Sequence, residues 1–510
     1  MSNIPPVHIC IVQPVGYVHS LGFVDQARHF RYQFRRLGAT VSIAKNRLRH
    51  DAINLVFGAH LGFDATLRKR YSCLFVNLEQ LGAGGASVSA AYLELLRSSA
   101  VVDYDAANVP AYAAQVDEVC VVPLLYSPYL AGEAGLPLQD RPIDLLFFGS
   151  LNERRQKLMA EVEAQGYGIS VFDAPLYGPE RDHFIGQAKA VLNCHFYESS
   201  RFEQARVSHC LSLGTPVISE RGAHTLPHAG FEDAVFWFDT SNVADFFKTR
   251  FATPAFYEQA RTKLLGFAGT DGIEAYADLL GFACGYRQTH ARGMLAQPWR
   301  PSRVNLGSGK DYKAGWLNLD VIAQAEPDLL LDLGQPIELP LRAKGVSCGE
   351  VVLEAASLDQ IYANNVLEHV PDLPRLMGNC LALLKTGGEL QIEVPYEHAS
   401  TAWQDPTHVR AMNEQSWLYY TDWFWYLGWF EHRFAIGASS YLDLGLKECS
   451  RENAAFMRLA LQKVETTPQE RTTARAFQVD LRLPEDEVPA QQSYRSHTMS
   501  TVPAESALAG

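Results

Sequence analysis

Residues 303–320 place the tightest constraint on the fold of this chain. An apolar strand, Val304–Leu306, runs into Gly307-Ser308-Gly309, and a second short strand over Trp316–Leu319 ends on Asp320. Glycines at the end of a buried strand let the backbone pass close to a bound cofactor, because no side chain intervenes. An acidic residue closing the next strand can take both hydroxyls of a ribose. Folds that bind dinucleotide phosphates use a third glycine and a helix N-terminus aimed at the pyrophosphate. Here Lys310 and Asp311 follow instead. The pattern points to a nucleoside cofactor without phosphates, S-adenosylmethionine.

The next residues extend the pattern. Asp328–Leu333 reads as a third strand, with Asp332 on the adenine side of such a pocket. Gln360–Val370, Gln-Ile-Tyr-Ala-Asn-Asn-Val-Leu-Glu-His-Val, reads as a fourth strand breaking into a polar loop and a helix. The run Leu383–Glu389 predicts a helix ending at glycine in a left-handed C-cap, followed by strand Leu390–Val394. This order resembles the class I S-adenosylmethionine-dependent methyltransferases, above all small-molecule, type-11-like enzymes. Those carry Leu-Glu-His-Val after strand four and Leu-Lys-x-Gly-Gly before strand five. The resemblance covers roughly residues 300–465 and implies cofactor contacts from Asn305, Gly307, Gly309, Asp320, Asp332 and Asn364. Asn305 departs from the acidic residue often found there; it can still hydrogen-bond the methionine moiety, without the charge contact.

At 510 residues the chain has room for about three domains of roughly 150 residues each. A net charge of −13 offers no basic field for nucleic acid. The nine cysteines are scattered singly, without a Cys-x-x-Cys pair or Cys/His metal spacing, which fits a reducing compartment and argues against zinc. No signal peptide is evident at the N-terminus, and no apolar run approaches the ~20 residues that span a bilayer. The expectation is a cytoplasmic enzyme without a transmembrane segment.

The first half also reads as α/β. Strands are predicted at Val7–Val12, Thr40–Ala44, Ala52–Phe57, Cys73–Leu78, 101–104 and Val119–Val122, with an amphipathic helix over Val24–Leu37. After a linker at Pro137–Pro142, a second unit has strands at Asp144–Phe148, Ile169–Phe172, Ala190–Cys194, Pro216–Ser219 and Ala234–Phe238. Two such units in tandem create a cleft between their strand C-termini, where open parallel sheets place ligands.

Two segments of this half carry chemistry. Phe148-Gly149-Ser150 leads to Arg154-Arg155 at a helix start; backbone amides and guanidinium forks there suit a diphosphate, against the blander reading of a solvated first turn. Asn193–Glu220 delivers a polar loop, a helix of about eleven residues ending at Gly214, and a strand. Leu213-Gly214-Thr215-Pro216-Val217-Ile218 and Val121–Tyr129 resemble the Gly-x-Pro-Val turn and the interdomain connection of GT-B glycosyltransferases. That resemblance spans roughly residues 5–285. It implies that Glu203 and Arg206 face the ribose and phosphates of a donor sugar nucleotide and that Glu220 closes the pocket, to which Gly149, Arg154 and Arg155 add the diphosphate contacts. Many retaining members carry two glutamates eight residues apart; here Glu198 meets Arg206 at that spacing and Glu203 meets Leu211, so retaining chemistry does not follow.

Acid–base candidates complete the reading. His19 and His60 lie where loops of the first unit would meet an acceptor hydroxyl, with Asp103-Tyr104-Asp105 as an alternative base or a helix cap. In the last unit, His408 and then His369 are the candidates to take a proton from an alcohol as the methyl arrives, or else to fix loops by hydrogen bonds. Asp405 with His398 or His408 has no defined metal-ligand spacing, so no metal is expected. Trp417–Phe434 packs ten aromatics into eighteen residues, readable as a sugar platform, a lid or interdomain core, or a membrane-surface contact.

The expected architecture is three doubly wound Rossmann-like units. An acceptor-side unit covers 1–140, a nucleotide-sugar unit 141–296 and a methyltransferase unit 297–465, with a disordered tail over 466–510. The leading expectation is a bifunctional enzyme: glycosyl transfer from a nucleotide sugar, then S-adenosylmethionine-dependent O-methylation of a glycan or glycoconjugate, as in surface polysaccharide synthesis. The alternatives are a methyltransferase with a non-catalytic carbohydrate-binding first half, and a small-molecule or lipid methyltransferase with an unrelated partner domain.

Overall fold

The computed structural model describes residues 4–82, 85–113, 119–132, 135–172, 175–294 and 297–478. It divides into two compact units, residues 1–299 and residues 300–510, with short segments at 312–315 and 347–350 grouped with the first. No helix among the described residues is long and apolar enough to cross a membrane.

The first unit holds two parallel sheets. Strands β1 (Val7–Ile11), β2 (Val41–Lys45), β3 (Ile53–Phe57), β4 (Cys73–Asn77), β5 (Val101–Asp103) and β6 (Val119–Val121) lie in the order β2-β1-β3-β4-β5-β6. Strands β7 (Ile143–Phe148), β8 (Ile169–Phe172), β9 (Ala188–Asn193), β10 (Val217–Glu220) and β11 (Phe236–Phe238) lie in the order β11-β10-β9-β7-β8. Both sheets are doubly wound, and each has a crevice where the strand order reverses: between β1 and β3, and between β7 and β9. Strands β1, β3, β4 and β10 are buried along their whole length because helices cover both faces, whereas the edge strands β2 and β8 are only partly covered.

The helices of this unit are α1 (Phe23–Arg36), α2 (Ala90–Arg97), α3 (Glu153–Glu163), α4 (Pro179–Gln187), α5 (Gln204–Ser212), α6 (Ala229–Glu232), α7 (Val243–Thr249), α8 (Pro254–Ala268) and α9 (Ile273–Met294). Helix α9 follows the second sheet in sequence, yet its Tyr276, Leu279 and Ala283 are buried in the core of the first, with Phe30, Phe34 and Phe57. The long final helix therefore ties the two sheets into one packed unit.

The second unit is built on β12 (Arg303–Leu306), β13 (Leu317–Asp320), β14 (Leu329–Leu330), a ribbon of β15 (Leu341–Lys344) and β16 (Glu350–Leu353), then β17 (Leu358–Asn364) and β18 (Leu384–Pro395), with β19 (His432–Leu442), β20 (Glu448–Cys449) and β21 (Phe456–Glu465). Its main sheet runs β14-β13-β12-β17-β18-β21-β19-β20, parallel as far as β18 and antiparallel beyond it. The order reverses between β12 and β17. Its helices are α10 (Leu373–Leu383), α11 (Leu418–Thr421) and α12 (Pro468–Gln478). No α-helix lies between β12 and β13 or between β13 and β14, so this sheet is less fully wound than the two before it.

Three expectations change. The third strand shrinks to Leu329–Leu330. Gly387 does take a positive φ of +84°, but α10 already ends at Leu383 and β18 begins at Leu384. The glycine instead serves a bulge, where Leu358 pairs with Leu384 but Gln360 pairs with Glu389. Residues 468–478, read above as tail, form α12, in which Ala474 is buried and Glu470 accepts from Arg433 Nε at 3.1 Å. Residues 479–510 of that tail lie outside the described residues.

Candidate functional site

In the second unit, the crevice between β12 and β17 gathers the expected cofactor residues. Gly307 sits at φ +60°, and a Cβ there would come 2.4 Å from Val366 Cγ2, so a side chain has no room. Gly309 sits at φ +46° and its amide donates to Asp320 Oδ2 at 2.8 Å. The other Asp320 oxygen accepts from the Ile322 amide at 2.9 Å, which fixes the carboxylate at the tip of β13. At the same strand ends, Ser308 Oγ and Asn364 Oδ1 are buried without hydrogen-bond partners. Buried polar atoms in that state are uncommon in a folded protein. The amino, carboxylate and ribose groups of S-adenosylmethionine would complete them, so the residues present fit that cofactor.

Two residues expected here do other work. Asn305 is 2% exposed and donates to the Asp311 carbonyl at 2.7 Å and to Asn318 Oδ1 at 2.9 Å. Parallel pairing of β12 with β13 sets Asn305 opposite Asn318, so the amide is drawn into a sheet-internal network that Asp328 completes. Asp332 is exposed and closes a turn by accepting from the Gly334 amide at 2.8 Å.

Beyond the glycine turn lies a group centred on Glu368, which sequence reasoning did not single out. The turn Leu367–His369 follows β17, and the loop after β18 brings His408 beside it, the Val409 amide donating to the Glu368 carbonyl at 2.9 Å. The Glu368 side chain is buried and neither carboxylate oxygen has a hydrogen-bond partner. Burial is the main cause that pushes its pKa up to about 7. His408 Nε2 stands 3.9 Å from Glu368 Oε1, and the His369 and His408 rings meet edge to face at 4.7 Å. The signal was the acidic residue inside Leu-Glu-His-Val, directly after the buried Leu367. His398, in contrast, is exposed.

The aromatic stretch divides. Trp417, Tyr420, Phe424 and Phe434 are buried, while Tyr419, Trp423 and Tyr426 are exposed. An open cleft of about 330 Å³ lies between this segment and α12, lined in part by Phe424, Trp425, Arg433 and Glu470.

In the first unit, the crevice between β7 and β9 is differently finished. Gly149, at φ +133°, lies against Arg206, whose Nη2 would be 3.0 Å from a Cβ. Asn152 caps α3 by accepting from the Arg155 amide at 2.9 Å. Arg155 does not face a ligand: its side chain is 3% exposed and donates to the carbonyls of Cys194 and Ser150. The expectation of diphosphate contact fails for it because those carbonyls end in irregular backbone and need a donor. Arg154 is held by Glu220, itself 1% exposed, and by the His195 carbonyl at 3.0 Å. Glu203 accepts from Asn193 Nδ2 at 2.9 Å and pairs with His195 Nδ1 at 3.0 Å. Burial alone would raise its pKa; the His195 bond and charge, with Arg206, bring it down to about 2. Arg206 donates one bond, to Asn193 Oδ1 at 3.1 Å, and stacks over Phe148.

Arg206 and Glu203 line a cavity of about 260 Å³ together with Leu78, Gln80 and Tyr104 from the first sheet. Arg206 also lines a neighbouring one with Phe23, Asp25 and Arg181. His60 pairs with Glu79 at 3.5 Å and packs edge-on against Phe23; burial lowers its pKa and Glu79 opposes the shift. His19 Nδ1 hydrogen-bonds Tyr177 Oη at 2.9 Å, linking the loop after β1 to the second sheet's side. Asp103 is not available as a base: it is buried and accepts from Asn77, Asn108, Tyr112 and the Asp105 amide. Asp105 caps the turn at Ala106–Ala111, its side chain accepting from the Ala107 amide.

A family model for a methyltransferase domain matches residues 230–434, a span that begins in α6 and ends within β19. The chain is 23% identical over 175 residues to uncharacterized protein L137 of Acanthamoeba polyphaga mimivirus, a match covering 32% of this chain and 22% of that protein. Among solved structures, an S-adenosylmethionine-dependent methyltransferase from Mesorhizobium loti aligns at 15% identity and TM-score 0.22, over 34% of this chain and 97% of its own. WaaG, a glycosyltransferase involved in lipopolysaccharide biosynthesis, aligns at 11% identity and TM-score 0.36, over 55% of this chain and 100% of its own. The methyltransferase-domain match makes the protein an enzyme of transferase type and implies S-adenosylmethionine as the methyl donor of that domain.

Proposed function

We propose that the protein is a bifunctional transferase. Its second unit methylates a hydroxyl of a glycan or glycoconjugate from S-adenosylmethionine, and its first unit transfers a sugar from a nucleotide donor to the same class of acceptor. S-adenosylmethionine, when bound, supplies the methyl group. Gly307 and Gly309 let it approach the backbone, Asp320 takes its ribose hydroxyls, and Ser308 and Asn364 complete its polar groups. The group at Glu368, His369 and His408 receives the acceptor oxygen. In the first unit, residues 141–296 bind the donor, with Arg206 as the guanidinium that meets phosphate, and residues 1–140 present the acceptor near His60 and His19.

The observation that carries this reading is the set of unpartnered polar atoms at the β12/β17 crevice, paired with a cavity at the β7/β9 crevice into which Arg206 projects. Methyl transfer from labelled S-adenosylmethionine onto polysaccharides, proteins and nucleic acids is the test. Label in polysaccharide, lost in Asp320→Ala, is expected; label only in protein or nucleic acid overturns the substrate class.

One observation favours a second reading, in which the first unit binds carbohydrate without turning over a donor. Arg154 and Arg155 are both committed to protein partners, which leaves Arg206 as the main phosphate-directed cation of that crevice. Sugar-nucleotide binding without hydrolysis or transfer would decide for it.

A further inference from the structure

The Glu368 carboxylate is 1% exposed, carries no hydrogen bond, and faces His408 Nε2. One carboxylate oxygen and one ring nitrogen each from His369 and His408 lie within 4.8 Å of one another. The surrounding bonds set the tautomers. His408 Nδ1 lies 2.9 Å from the Ala402 carbonyl, which can only accept, so Nδ1 carries the proton and Nε2 keeps its lone pair. Thr407 Oγ1 donates to Asp405 Oδ1 at 2.6 Å and therefore accepts from His369 Nδ1 at 2.9 Å, with the same result for His369. Each histidine thus gives its Nδ1 proton to an outer acceptor and keeps an Nε2 lone pair, that of His408 turned toward the buried Glu368 carboxyl group. Outer acceptors of this kind orient the histidines of metal centres.

We propose that Glu368, His369 and His408 hold a divalent transition-metal ion of the zinc class. Two imidazoles and one carboxylate suit such an ion and leave a coordination position open. Bonds of about 2.0–2.2 Å put tetrahedral ligand atoms roughly 3.4 Å apart, so the 3.9 Å between Glu368 Oε1 and His408 Nε2 closes with a small rotation. Sequence spacing did not reveal this set, because two ligands follow β17 and the third comes from the loop after β18. Resting on the function proposed above, the open position takes the acceptor's hydroxyl oxygen. As ligands, neither histidine then acts as the general base; the ion would lower the pKa of the bound hydroxyl, so that its proton passes to solvent as the oxygen takes the methyl and the cofactor leaves as S-adenosylhomocysteine.

The test is titration of chelator-treated full-length protein with Co²⁺, followed by visible absorption and displacement with Zn²⁺. The expected result is one saturable equivalent with a nitrogen/oxygen-ligand spectrum. Affinity should fall about 100-fold or more in Glu368→Gln and in His408→Ala, and about 10-fold in Thr407→Val. Thermal unfolding and S-adenosylmethionine titration of Glu368→Gln report that its fold is retained. Sub-stoichiometric binding, or binding that both ligand substitutions leave unchanged, overturns the metal site while the methyltransferase reading stands. Stoichiometric metal with methyl transfer only to non-glycan acceptors upholds the site and overturns the acceptor assigned to it.

Discussion

The crevices at β7/β9 and at β12/β17 are topological equivalents, yet their polar groups are finished in opposite ways. In the first, Arg154, Arg155, Glu203, Glu220 and His195 satisfy one another or nearby carbonyls. In the second, Ser308 Oγ, Asn364 Oδ1 and both Glu368 oxygens are buried and unpartnered. A saturated network holds its own geometry and meets a ligand with what projects beyond it, here Arg206. An unsaturated one carries a desolvation cost that a bound cofactor or ion removes. The same fold rule gives both crevices, and they differ in which polar groups are left unpartnered.

The substitution that most sharply separates scaffold from site is Arg155→Ala. It strands the carbonyls of Cys194 and Ser150 and should cost about 4 kcal/mol in chemical denaturation, whereas Arg206→Ala should change stability by less than about 1 kcal/mol and abolish nucleotide-sugar binding. Equal destabilisation by the two would break the contrast. Gly307→Ala comes next: a Cβ against Val366 at a left-handed φ should cost about 3 kcal/mol and weaken S-adenosylmethionine at least tenfold, read by melting and calorimetry.

Glu203 tests the saturated network through pH. Its folded pKa of about 2 lies below the ordinary 4.5, so at pH between these values the unfolded chain binds the extra proton. Stability from this group is present above about pH 4.5 and is lost as pH falls toward 2. Glu203→Gln should flatten that acid limb by about 2–3 kcal/mol, measured as denaturation midpoints against pH. The smallest effect belongs to His19→Phe, which removes an exposed bond to Tyr177; stability should move by no more than about 0.5 kcal/mol, and a larger loss would make His19 part of the scaffold.

Much of this was legible in the residues. Val7–Val12 and Cys73–Leu78 are largely apolar runs that fold as buried strands, and Gly307 and Gly309 mark a strand end that must come close to something. Three things were hidden. Asn305 and Arg155 look available in a linear reading, but register and the irregular backbone after β9 draw them into the scaffold. Gly387 keeps the conformation glycine favours, yet pairing across β17 and β18 turned an expected helix cap into a bulge. Glu368 acquires its character only when the loop carrying His408 folds over it, a contact between distant segments that no local pattern records.

Two independent binding sites in one chain are what the proposed bifunctional activity requires. Calorimetric titration of the full-length protein with S-adenosylmethionine and with a panel of nucleotide sugars, repeated for Asp320→Ala and Arg206→Ala, tests that directly. The prediction is two saturable events, the first lost only in Asp320→Ala and the second only in Arg206→Ala. Binding of S-adenosylmethionine with no nucleotide-sugar heat at millimolar concentration would contradict the account and leave the first unit without a donor site.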